Sequence, residues 1–82
     1  MNAYNNRGLT YKNNGLYDQA IADFSQAIRL APDLDYAYFN RGDTYEINGE
    51  RQRAVKDFMK SYALKSDDRA YQAKMRELGL LQ

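Results

Sequence analysis

Carboxylates occur in two close sets, Asp33 with Asp35 and Asp67 with Asp68. Such groupings can share acid–base work or hold a hard cation. Here both sets fall in short links between helical segments, where capping of the next helix accounts for them. The chain has no histidine and no cysteine. That removes the commonest metal ligand, the usual general base near neutral pH and any thiol nucleophile. No metal, no cofactor and no catalytic residue is expected, and the chain is read as something other than an enzyme. Arg53, Lys56 and Lys60 fall at i, i+3 and i+7 beside Arg51, a row that could neutralise phosphates. Glu50 and Asp57 stand near it, and the aromatic residues are not interleaved with it, so a solvated helix face is the simpler reading. The formal net charge of +1 supplies no field that would draw the chain to nucleic acid or an anionic membrane.

These residues are positioned by a repeat. The string Ala3 to Tyr11, AYNNRGLTY, returns as AYFNRGDTY at Ala37 to Tyr45, an offset of 34 residues counted from Ala3 to Ala37. The same shift superposes Asn14-Gly15 on Asn48-Gly49, Ala20 on Ala54, Asp23-Phe24 on Asp57-Phe58 and Leu30 on Leu64. A period in this range signals units that stack into a solenoid. In 82 residues a lone core leaves little margin, so contacts between neighbouring units must supply most of the stability.

Within each unit the apolar spacing is helical. Tyr4, Gly8 and Tyr11 share one face of a helix over residues 2–14, which Asn14-Gly15 ends. Ala20, Ile21, Phe24, Ala27 and Ile28 share a face of a second helix over 18–30, with Asp18 placed to cap it or to complement its dipole. A link this short makes an antiparallel hairpin. Pro32 stops the second helix, and Asp35 is expected to cap the third. The hairpin returns over 36–48 and 52–64. A last segment, 69–78, carries Tyr71, Met75 and Leu78 on one side, as a terminal cap that covers the stack and keeps its outer face wet. Gly8 with Ala20, and Gly42 with Ala54, are the small residues expected to let paired helices approach closely.

Tyr4, Gly8, Tyr11, Ala20, Phe24, Ala27 and Pro32, at this period, resemble the signature of the tetratricopeptide repeat. The second unit matches through Tyr38, Gly42, Tyr45, Ala54 and Phe58, with Ser61 and Ser66 where Ala and Pro are usual. The resemblance implies an all-α fold, a solenoid of two helical hairpins (residues 1–34 and 35–68) followed by a C-terminal capping helix and tail (69–82). It also implies a protein-interaction module that binds a peptide in a concave groove lined by the first helix of each unit.

Under that expectation the groove is lined by Asn2, Asn5, Asn6, Leu9, Lys12 and Asn13 from the first helix. Tyr36, Phe39, Asn40, Asp43, Glu46 and Ile47 line it from the third, and Lys74 from the last. Asn6 and Asn40 suit a peptide backbone, since an amide both donates and accepts; bonds to helix neighbours or to water are the plainer alternative. Tyr36 and Phe39 are candidate anchors, unless Phe39 is covered by its neighbours. Some chaperone-adaptor members of the family clamp a terminal carboxylate through five slots that correspond here to Asn5, Leu9, Asn40, Ala70 and Lys74. Only Asn40 and Lys74 fit. With Asp43 and Glu46 nearby, the expected ligand is neutral to mildly basic with apolar side chains, not an acidic tail. Self-assembly is the alternative role. The expected state is a monomer with a minor domain-swapped dimer, because Leu64 to Arg69 lacks the proline of the earlier junction. The expected setting is soluble and cytoplasmic.

Overall fold

Five helices make up the computed structural model, which describes residues 2–81: α1 (Ala3–Asn13), α2 (Tyr17–Leu30), α3 (Asp35–Ile47), α4 (Arg51–Leu64) and α5 (Arg69–Glu77). Met1 and Gln82, the outermost residues of the expected first unit and tail, lie outside the described residues. Every helix boundary falls within one residue of the expectation. The helices pair as α1 with α2 and α3 with α4; α2 also packs on α3, and α5 on α4.

The two hairpin turns are built alike. Gly15 and Gly49 have φ of 77° and 81°, a left-handed conformation that costs a residue with a Cβ dearly. Gly15 N–H donates to the Lys12 carbonyl and Leu16 N–H to that of Tyr11; Gly49 and Glu50 repeat the pair onto Glu46 and Tyr45. The last carbonyls of α1 and α3 are thereby satisfied as the chain reverses.

Phe24 and Phe58 are the largest fully buried side chains, with Ala20, Ala27, Ala37 and Ala54 buried around them. The close approach has a different partner from the one expected. A Cβ on Gly8 would come within 2.7 Å of the Phe24 ring, and one on Gly42 within 3.0 Å of the Phe58 ring. Each glycine makes room first of all for its hairpin's phenylalanine, which comes nearer to it than Ala20 or Ala54 does. Ser61, in the place of Ala27, is buried and donates its hydroxyl to the Phe58 carbonyl at 2.8 Å, which satisfies the one polar atom it adds.

Of the two roles open to Asp18, the structure has the dipole one: it lies in the first turn of α2, whose N-cap, Leu16, makes no side-chain bond. The expected cap at Asp35 needs correction. Asp35 is the first residue of α3, after N-cap Leu34. Its carboxylate accepts a hydrogen bond from the Tyr71 hydroxyl and so ties α5 to the start of α3. Burial, and then that bond beside a carboxylate, raise the Tyr71 pKa well above the ordinary phenol value. Asp68 does cap, accepting from the backbone N–H groups of Ala70 and Tyr71. Among the described residues, no helix is long and apolar enough to cross a membrane.

Candidate peptide-binding face

Polar cross-links join α1, α3 and α5 side by side. Between α1 and α3, Asn40 Nδ2 donates to Asn5 Oδ1 at 3.0 Å and Lys12 Nζ meets Asp43 at 2.6 Å. Between α3 and α5, Lys74 Nζ lies 3.3 Å from Glu46 and 3.0 Å from Glu77 on its own helix. Burial alone would lower the Lys74 pKa, but hydrogen bonds from its ammonium to Glu77 and Glu46 outweigh that and raise it. The three helices thus form one face whose charges are largely paired with one another.

The expected groove residues divide into four groups. Asn5, Asn40, Lys12, Asp43, Glu46 and Lys74 form the cross-links. Asn2 is occupied at the start of α1, where its side chain accepts from the Asn5 backbone N–H at 3.1 Å. Asn6, Asn13, Tyr36 and Ile47 are exposed and Leu9 is half-buried; Tyr36 keeps 38% of its surface and Ile47 51%. Of the two aromatic candidates, only Tyr36 projects freely. Phe39 is half-buried in a stack, its ring centroid 5.2 Å from that of Phe58 and 5.0 Å from that of Tyr71. It joins α3 to α4 and α5, and Lys74 covers the far end of the stack, 4.9 Å above the Phe58 ring. Asn40 and Lys74, the two residues that fit the carboxylate clamp, are both engaged within the chain.

Sequence reasoning missed two ion pairs built on buried carboxylates. Arg7 grips Asp23 through two bonds of 2.7 and 2.8 Å, and Arg41 grips Asp57 in the same way. Asp23 and Asp57 are buried, so each guanidinium fork satisfies a carboxylate that would otherwise be costly to bury. The signal was present, since both members of the pair recur at the repeat offset. Around each arginine two tyrosines close in: Tyr4 and Tyr11 lie 5.7 Å from Arg7, and Tyr38 and Tyr45 5.8 Å from Arg41. The repeated tyrosines therefore flank an arginine; Tyr4 remains exposed and only Tyr38 is buried.

Comparison with known proteins agrees with this architecture. Two models of the tetratricopeptide repeat match, one over residues 2–34 and the other over residues 35–68. Among curated proteins none matches the chain. Tetratricopeptide repeats generally mediate protein–protein interactions. With residues 2–68 covered by the two matches, and the two hairpins folded as that repeat folds, the chain belongs to the tetratricopeptide repeat family.

Proposed function

We propose that the face formed by α1, α3 and α5 binds a peptide segment of another protein, neutral to mildly basic and carrying apolar side chains. The observation behind this reading is the internal pairing of the face's charges, which leaves Tyr36 and Ile47 exposed toward opposite ends of α3. A paired surface offers little to an acidic ligand. Where Lys74 serves both Glu46 and Glu77, one carboxylate is in excess, and a ligand cation is favoured there. The exposed amide of Asn6 is free to meet a peptide backbone.

Selection from a random peptide library tests the proposal, with the parent as bait and a Tyr36→Ala/Ile47→Ala double variant as the counter-screen. Both side chains are exposed, so the fold should survive their removal; Phe39 is unsuitable because it holds the aromatic stack. Selected peptides should be apolar with a basic residue and should lose about tenfold or more in affinity for the variant, as expected when hot-spot contacts are truncated. Acidic peptides, or peptides indifferent to the two substitutions, would refute it.

A further inference from the structure

The basic row on α4 belongs to a larger assembly. Lys60 lies 5.9 Å from the Tyr38 ring centroid, and Arg53 lies 5.9 Å from that of Tyr45. Since Arg41 sits against both rings, cation and ring alternate as Lys60, Tyr38, Arg41, Tyr45, Arg53. Aromatic residues thus interleave with the basic row in space, supplied by α3, although they do not in sequence.

The acids beside the row leave it largely positive. Both oxygens of Asp57 are bound by Arg41 beneath the surface. Glu50 reaches Arg53 at 3.3 Å, while Lys56 and Lys60, both exposed, enter no ion pair among the described residues. Rings that hold the outer cations in place lower the entropy lost when a ligand fixes them. The first hairpin is the natural control. Its equivalents of Arg53, Lys56 and Lys60 are Gln19, Ala22 and Gln26, and its set stops at Tyr4, Arg7 and Tyr11.

We propose that this flank of α4 docks an acidic helix of a protein partner, with carboxylates at i, i+3 or i+4, and i+7. The cations span about 10 Å along α4 at 1.5 Å per residue, and another helix is the element that repeats its side chains at the same interval. Nucleic acid fits less well. Tyr38 is buried and each ring already carries two cations, so neither offers a bare platform on which a base could stack. The surface lies on α4 and is independent of the face proposed above for a neutral or basic peptide.

The test is fluorescence anisotropy at low salt with a labelled helical peptide of roughly 14 residues carrying glutamates at those positions. Its glutamine counterpart and an oligothymidylate are the comparison probes. The proteins are the parent, R53Q/K56A/K60Q, which borrows the residues of the first hairpin, and Lys56→Glu, which changes one exposed side chain outside the cation–ring series. The glutamate peptide should bind the parent about tenfold or more tightly than the glutamine peptide, weaken as salt rises, and lose about tenfold with either variant. The assignment is overturned if the glutamate peptide fails to bind, if both peptides bind alike, or if Lys56→Glu changes nothing. Tighter binding of the oligothymidylate also overturns it, in favour of a nucleic-acid surface.

Discussion

Equivalent residues of the two hairpins meet different surroundings. Tyr4 keeps 37% of its surface and Tyr38 only 9%, while the Arg7 side chain is 58% exposed and that of Arg41 20%. The cause is position in the stack. α2 covers the face of α3 that carries Tyr38 and Arg41, with Ser25 Oγ 3.1 Å from Arg41 and the Pro32 carbonyl accepting from the Tyr38 hydroxyl at 2.8 Å. No helix among the described residues covers the same face of α1. One local motif therefore does two jobs: in α1 it orders a surface, and in α3 it forms an interface between units. The second hairpin is further buttressed by α5, through the stack of Tyr71, Phe39 and Phe58.

The sharpest test of that difference is to empty the two aromatic sites in turn. Phe24→Ala and Phe58→Ala should each cost about 3 to 5 kcal/mol, the range for a fully buried aromatic residue. Phe58→Ala should lie at the upper end, because Phe39 and Lys74 lose their partner as well. Urea melts of the two variants would show it. If Phe24→Ala proves the more damaging, the second hairpin is not the better supported of the two.

Next in size is the loss of one arginine. Arg41→Met leaves the Asp57 carboxylate buried without its fork and should cost about 1 to 3 kcal/mol. Arg7→Met should cost clearly less, since solvent already reaches most of the Arg7 side chain and screens the pair. Thermal melts that rank the two the other way round would show that coverage by α2 does not set the strength of the pair.

These comparisons separate what was legible in the sequence from what was not. The hairpin period, the helix limits and the burial of Phe24 and Phe58 follow from spacing, because the helical repeat turns sequence distance directly into a face. The cross-links Lys12 to Asp43 and Glu46 to Lys74 do not follow, since they depend on how far one helix is rotated against the next. The same holds for Lys60 and Arg53, whose rings come from α3. Asp35 read as a cap because Asp before an apolar run commonly caps; the reach of Tyr71 from α5 gave it another partner. Phe39 read either as an anchor or as a residue covered by its neighbours, and its packing on Phe58 and Tyr71 realises the second reading, with α4 in the place expected of α1.

The smallest expected effect concerns the two junctions between units, where sequence suggested a difference that the backbone does not have. Ala31, before Pro32, has φ −142° and ψ 85°, and Lys65, before Ser66, has φ −147° and ψ 73°. The chain breaks the same way with or without proline. What holds the second break is the Asp68 cap, the bond from Gln72 Nε2 to the Ser66 carbonyl at 2.9 Å, and the Tyr71 tie to Asp35. Straightening α4 into α5, as a domain-swapped dimer requires, would break the Asp68 cap and the Gln72 bond, while the Tyr71 tie would re-form with Asp35 of the second copy. The dihedrals of Lys65 nearly match those of Ala31, which already precedes a proline, so they suit a following proline as well. Ser66→Pro should therefore fit without strain and stabilise the monomer by about 0.4 to 1 kcal/mol, mainly by restricting the unfolded chain. Chemical denaturation would register the gain. Sedimentation of parent and variant over a wide concentration range would show whether any dimer forms at high concentration and whether the proline suppresses it. A Ser66→Pro variant that is less stable than the parent would mean that the two junctions, alike in dihedral angles, are not alike in what they tolerate.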